Sequence, residues 1–368
     1  MAGIIAQNGF YLFILCLILF VFPAVTLRVL YINFNGFFVL LSDYIHSKNI
    51  MKLDKRKLLG PLFTPLSKAK HSRASRILVA TAWLPSQLIR ARHNRPYFAV
   101  DIGSSKGMGA VLAEAMLMCH YAKQNGLIPR IISTNPLYAP KSGEDFISLY
   151  LGLADQDNVP DLRPMRYRTL WSFYHLKFAQ HLSLSEANQL FWTYFPPKAI
   201  ITDKVDAVLA NVPNRKFDLS IHYRGTDKAL EAPLVSFEVY EKAILDYQAG
   251  GENIKAVFLA TDDSDFEAFV RQRFPETSFT TYNLGSSSNT LRGRHFSDMS
   301  PGDKATESLV NMFLLASAPT CIRGASYMSA ISKILNPALR TMTLNRTHWG
   351  SSGFPELEIL AEEDTAPR

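Results

Sequence analysis

"FDLSIHYRGTDKALEAP", residues 217–233, decides how the rest of the chain is read. Its first half is an apolar strand pattern. Its second half gathers His222, Arg224, Asp227, Lys228 and Glu231 within ten positions. A solvated turn entering the next helix is one explanation. A site that grips an anion and manages a proton is the other. His222 and Arg224 alternate, so both side chains leave the strand end on the same face. Arginine offers a planar fork for two phosphate oxygens. Lys228 adds a second cation, and Asp227 and Glu231 are candidate bases. Five polar groups at the exit of an otherwise apolar strand favour the site.

Downstream of this strand the pattern alternates. "SFEVYEKAILDYQ" reads as a helix, "IKAVFLATD" as a strand, "SDFEAFVRQRF" as a helix and "TSFTTYN" as a strand. A loop poor in apolar residues covers Gly285 to Asp303. A helix near "TESLVNMFLLASA", a strand "TCIRG", a helix "SYMSAISKIL" and a strand "RTMTLN" follow. Regular alternation of this kind predicts a doubly wound parallel sheet, whose ligands bind at the carboxyl ends of the strands.

Upstream, "YFAVDIGSSKGMGAVLAEAMLMCHYAKQNGLIPRIIST" predicts a strand, a Gly-rich turn, a helix from about Met108 to Gln124, a stop at Gly126 and a second strand. Residues 142–211 are mostly helical in pattern, with a Ser142/Asp145 cap at the start. The chain thus divides into residues 1–47, a hydrophobic segment; 48–95, a basic linker; 96–212, an N-terminal α/β domain; 213–350, a C-terminal Rossmann-like domain; and 351–368, a tail.

Phe10 to Leu27 is an uncharged run of 18 residues, close to the roughly 20 that cross a bilayer. No Lys or Arg precedes it and no clear Ala-x-Ala site follows, so an uncleaved anchor is expected over a signal peptide. Between Lys48 and Arg95 stand twelve Lys or Arg and one acid, Asp54, a net +11. Residues 1–47 balance Arg28 against Asp43. With the whole chain at +7, residues 96–368 carry −4. Such a mildly acidic body argues against a nucleic-acid surface. The basic block instead suits anionic lipid headgroups, and the positive-inside rule puts the main domain in the cytoplasm, as at a bacterial inner membrane. The rival location is the Golgi lumen, where the sequon Asn345-Arg346-Thr347 would permit glycosylation. Cys16, Cys119 and Cys321 are far apart and form neither metal spacing nor a disulfide framework.

Three further stretches carry candidate chemistry. "GSSKGMG", residues 103–109, could cradle phosphate, yet Lys106 is followed by Gly107 and Met108 rather than by Ser or Thr. A tight turn with close helix packing is the alternative. "ATDDSDF", residues 260–266, puts Asp262 and Asp263 at a strand's carboxyl end. Such a pair could hold a divalent metal on a diphosphate, cap the next helix, or line a pocket. "LRGRHFSD", residues 291–298, lacks the glycine of a phosphohistidine phosphatase; Arg292 and Arg294 could still reach a phosphate.

Read together, "HYRGTDK", the following Glu231, a helix with Tyr240 and then "VFLATDD" resemble the α-1,6-fucosyltransferases and their nodulation-factor and O-fucosyl relatives. The resemblance covers roughly residues 213–345. It implies a GT-B-like fold of two Rossmann-like domains, with the acceptor on the first and GDP-fucose on the second. Catalysis would be inverting, with no metal and no cofactor beyond the GDP-fucose donor. Arg224 would match the arginine that binds the β-phosphate, and Lys228 would add to that charge. His222 would contact the guanosine. Asp227 and Glu231 would organise the site, Glu231 being the better base. Tyr240, Asp262 and Asp263 would line the donor pocket, and Ser326 would start a helix whose N-terminus faces the diphosphate.

The departures are Gly225 in place of a second arginine, Asn311 where the family often has an acid reading the guanine, and "ASYMS" before the last helix. The expected activity is a membrane-anchored fucosyltransferase acting on a glycan or glycolipid hydroxyl. A transferase with another nucleotide-sugar donor, and a non-catalytic sugar- or nucleotide-binding membrane protein, are the alternatives.

Overall fold

The computed structural model describes residues 94–103, 106–152, 162, 164–166, 182–225, 231–251, 254–285 and 298–348. The 1–47 segment, all but the last two residues of the basic linker, the tail, and Asp227, Lys228, Arg292 and Arg294 lie outside these residues.

The first unit opens with β1 (Tyr97–Asp101), α1 (Met108–Gln124) and β2 (Ile128–Ile132). The helix is apolar nearly all round and is therefore buried, not surface-lying. It stops at Asn125, and Gly126 takes the left-handed φ of +64° that lets the chain turn back. The predicted helical stretch then resolves into α2 (Phe146–Tyr150), a two-residue strand β3 (Met165–Arg166), α3 (Leu184–Tyr194) and α4 (Ala199–Leu209). Asp145 caps α2 by accepting from the Ile147 and Ser148 amides. The pairing of β3 with β1 was not visible in the pattern, because two residues are too few to display a period of two. The described sheet has the order β2-β1-β3 and is parallel.

The second unit follows the predicted alternation: β4 (Leu219–Tyr223), α5 (Phe237–Ala249), β5 (Ala256–Thr261), α6 (Ser264–Arg273), β6 (Ser278–Thr280), α7 (Pro301–Ala316), β7 (Thr320–Arg323), α8 (Tyr327–Leu335) and β8 (Arg340–Thr343). All neighbours are parallel, in the order β6-β5-β4-β7-β8. Counted from β4, this is the 3-2-1-4-5 order of Rossmann sheets. The winding direction reverses between β4 and β7, which opens a crevice at their carboxyl ends.

Each face of that sheet buries a different layer. Leu219, Ile221 and Tyr223 of β4 and Ile322 of β7 pack with Tyr240 and Ile244 of α5 and Phe266 and Val270 of α6. On the other face, Leu309 and Leu314 of α7 and Ile331 and Ile334 of α8 merge with Val111, Leu112 and Met116 of α1 into one core that spans both units. At roughly 1.5–3 kcal/mol for each fully buried large aliphatic side chain, this shared layer is a major source of stability. The contact between α1 and α8 is backbone to backbone. A Cβ on Gly109 would lie 2.6 Å from the Tyr327 carbonyl carbon, so only glycine fits. Among the described residues no helix is long and apolar enough to cross a membrane; Phe10 to Leu27 lies outside them.

Candidate functional site

The crevice lies where the strand order places it. A narrow cleft is lined by His222 and Arg224 from β4 and its exit, by Pro233, Tyr240 and Asn345, and by the Gly324–Ser326 turn that leaves β7. His222 pairs with Arg323 across the two strands, so the walls are held in register by the sheet ladder.

Tyr223 ends β4 within an aromatic cluster. Its ring stacks on Phe266 at 4.0 Å and meets Tyr240 and Phe237 edge-on at 5.2 and 5.4 Å. Such pairs hold a ring in place beyond what burial alone does. The Tyr240 hydroxyl donates to the His222 carbonyl at 2.9 Å. Burial, and then the neighbouring Tyr223, push its pKa far above the ordinary phenol range. Tyr240 is thus a neutral donor that fixes the cleft floor.

At the strand exit, Arg224 keeps 22% side-chain exposure and its Nε stands 3.8 Å from Asp262 Oδ2. That is long for a charge-assisted hydrogen bond. The other oxygen of Asp262 accepts the Gly225 amide at 3.1 Å. Asp263 caps α6, accepting from Asp265 and Phe266 at 3.0 and 3.2 Å. A Cβ at position 225 would come within 2.5 Å of Asp263 Oδ2 and 2.8 Å of the Tyr223 ring. Gly225, which departs from the two-arginine block, is therefore required by the packing of this chain. Among the described residues no three His, Cys, Asp or Glu side chains gather to hold a metal ion.

Opposite Arg224, Ser326 occupies the N-cap position of α8 but its hydroxyl makes no capping bond. The first-turn amides of a helix have no intrahelical acceptor and carry partial positive charge. Ser326 is buried, and its carbonyl accepts from Arg323 Nη2 at 3.1 Å while Arg323 Nε reaches the Gly324 carbonyl at 3.3 Å. Arg323 is only 1% exposed. Sequence reasoning passed over it, although the signal was the one used for Arg224: a charge at the end of an apolar strand.

Asn345 was read as part of a sequon. Its side chain joins the two walls: Oδ1 accepts the Ala325 amide at 2.6 Å and Nδ2 donates to the Pro233 carbonyl at 2.5 Å. Three residues on, the His348 amide donates to the Glu231 carbonyl at 2.8 Å. Glu231 is half-buried at the rim of this loop. Asn311 stands apart from the cleft. It lies on the buried face of α7, where its amide donates to the carbonyls of Tyr282 and Glu307 at 3.0 and 2.8 Å. Asp227 and Lys228 fall outside the described residues. Lys106 of the "GSSKGMG" turn is ion-paired with the buried Glu114.

No protein-family model matches the chain, and no curated protein matches it. Solved structures similar to it include the fucosyltransferase NodZ from Bradyrhizobium, at 16% identity and a TM-score of 0.47, covering 67% of this chain and 96% of that one. A mutant of FUT1 from Arabidopsis thaliana in complex with GDP has 9% identity and a TM-score of 0.39, covering 79% of each chain. POFUT1 in complex with GDP-fucose has 11% identity and a TM-score of 0.30, covering 49% of this chain and 54% of that one. At these identities and scores no residue role carries across.

Proposed function

We propose that this protein is an inverting glycosyltransferase that moves fucose from GDP-fucose to a hydroxyl of a glycan or glycolipid, without a metal. One observation carries the reading: Arg224 stands at the switch point of a 3-2-1-4-5 parallel sheet, across a cleft from the uncapped first turn of α8. A nucleoside diphosphate suits that crevice, with its pyrophosphate between a guanidinium fork and helix-terminal amides.

The chemistry follows from charge. As the bond between the sugar C1 and the phosphate oxygen breaks, its electron pair goes to the departing GDP. Arg224 and the α8 amides meet that charge in a cleft partly screened from water. A preorganised donor of this kind is worth about 3–4 kcal/mol. The acceptor oxygen attacks C1 from the opposite face, and its proton passes to the Glu231 carboxylate. Asp262 steers the Arg224 fork, and Tyr240 with Tyr223 keeps the floor rigid. Lys228 would add charge to the phosphate end and Asp227 would orient the loop. His222 would contact the nucleoside.

A second reading changes the donor to another nucleotide sugar. It is favoured by Gly225, which has no room for the second arginine, and by Asn311, whose amide is engaged on two carbonyls away from the cleft. Membrane attachment belongs to the proposal as well, through Phe10 to Leu27 and the +11 block after it, with the domain on the cytoplasmic side and the Golgi lumen as the rival. The deciding experiment is a thermal-shift screen of GDP- and UDP-sugars on the full chain, followed by turnover of the best binder. Stabilisation and turnover by GDP-fucose alone are expected. A larger response to another sugar nucleotide changes the donor. Binding with neither transfer nor donor hydrolysis would leave a non-catalytic binding protein.

A further inference from the structure

We propose that Asn345 is a positioning residue of this site, whose side-chain amide ties the loop bearing Glu231 to the turn that begins α8. The inference rests on the glycosyltransferase reading and deepens it, because those two segments would carry the base and the phosphate-facing amides.

The geometry starts at the edge of the sheet. β8 lies beside β7, and the Leu344 amide extends their ladder by bonding the Arg323 carbonyl at 2.9 Å. The chain then crosses the carboxyl end of the sheet. Asn345 Oδ1 takes the Ala325 amide at 2.6 Å, and Nδ2 reaches the Pro233 carbonyl at 2.5 Å. His348 closes the crossing on the Glu231 carbonyl at 2.8 Å. One end of the side chain therefore meets a donor and the other an acceptor, which fixes the amide's orientation. Among side chains of this length, only asparagine offers both groups. Aspartate would keep the oxygen facing Ala325 and set a second oxygen against the Pro233 carbonyl. Alanine would release both ends.

That asymmetry separates positioning from support. Among the described residues the 231–233 segment belongs to no sheet; the His348 amide holds it at the Glu231 carbonyl and Asn345 holds it at the Pro233 carbonyl. The 324–326 turn is held besides by Arg323 on the Gly324 and Ser326 carbonyls. Breaking the Pro233 end removes one of the bonds on the base-bearing segment and should loosen it while leaving the phosphate-facing turn in place.

The test uses the full chain and two variants, Asn345→Asp and Asn345→Ala. Amide hydrogen exchange is followed in segments 231–235 and 324–328, and GDP affinity and turnover of GDP-fucose are measured alongside. For Asn345→Asp, exchange in 231–235 should rise about tenfold with 324–328 unchanged. Turnover should fall about tenfold while GDP affinity moves less than about threefold. For Asn345→Ala, both segments should exchange faster and GDP should bind more weakly. Wild-type exchange and turnover in Asn345→Asp overturn the proposal. So does faster exchange throughout β4 and β5, which would mark a general structural role. Wild-type protein that neither binds GDP nor turns over any GDP-sugar overturns the transferase reading instead, while the exchange contrast still decides whether Asn345 ties the two walls.

Discussion

The turns that leave β1 and β4 look alike in sequence and differ in what they do. Each follows an apolar strand, each contains glycine, and each has a cation close behind the strand, Lys106 or Arg224. Lys106 is bonded to Glu114, whose side chain is only 4% exposed. Its turn serves packing, since Gly109 sits on α8 with no space for a Cβ. Arg224 lines a cleft, with its Nε 3.8 Å from Asp262 Oδ2. A Cβ on Gly225 would run into Asp263 Oδ2 and the Tyr223 ring. Glycine at a strand-to-helix turn thus reports close approach of whatever lies opposite. The fate of the cation, and the strand order around it, distinguish a ligand site from a packing turn.

The comparison can be broken at both turns. The largest effect is expected at the carboxylate next to the β4 exit. Glu231→Gln should lower transfer by at least about 10²-fold, the usual scale of general-base catalysis, with GDP affinity preserved in calorimetry. Arg224→Lys should follow at about 10²-fold in turnover, because the charge stays but the bidentate fork is lost. Near-wild-type transfer by this variant would make the β4 exit a packing turn like its counterpart.

At β1 the expectation reverses. Lys106→Met takes a cation away from a buried carboxylate and should cost about 2 kcal/mol in denaturant unfolding, somewhat below the range for a fully buried pair, because Lys106 keeps 17% exposure. Turnover per folded molecule should stay the same. Lost turnover at full stability would move this turn into the site. The smallest effect is expected from chelation. Excess EDTA should leave the rate unchanged if Arg224 and the α8 amides hold the diphosphate; loss restored by Mn²⁺ or Mg²⁺ would return Asp262 and Asp263 to a metal-binding role.

Much of the fold was legible because its signals are local. Apolar runs bounded by polar turns marked β4 to β8 and the helices between them, and Gly126 marked the end of α1. Arg224 was legible for the same reason, as a charge placed where a strand pattern stops. Asp263 as a cap was legible too, since the cap acts within three residues. The pairing of β3 with β1, the separation of Asn311 from the cleft and the burial of Arg323 were not. Each depends on elements distant in the chain coming together, β3 on β1, Asn311 on Tyr282 and β7 on β4, and no local period encodes that.

The division is physical. Alternation, charge placement and turn chemistry are written in neighbouring residues, and they suffice for an α/β chain with a polar constellation at the end of β4. The order β6-β5-β4-β7-β8 is decided by how α5 and α6 cover one face while α7 and α8 cover the other, joined there by α1. Only that order brings the Gly324–Ser326 turn opposite Arg224 and carries Asn345 across to Pro233, 112 positions away in the chain. A side-chain amide that bridges two walls acquires its role from the walls, and those exist only once the sheet has assembled.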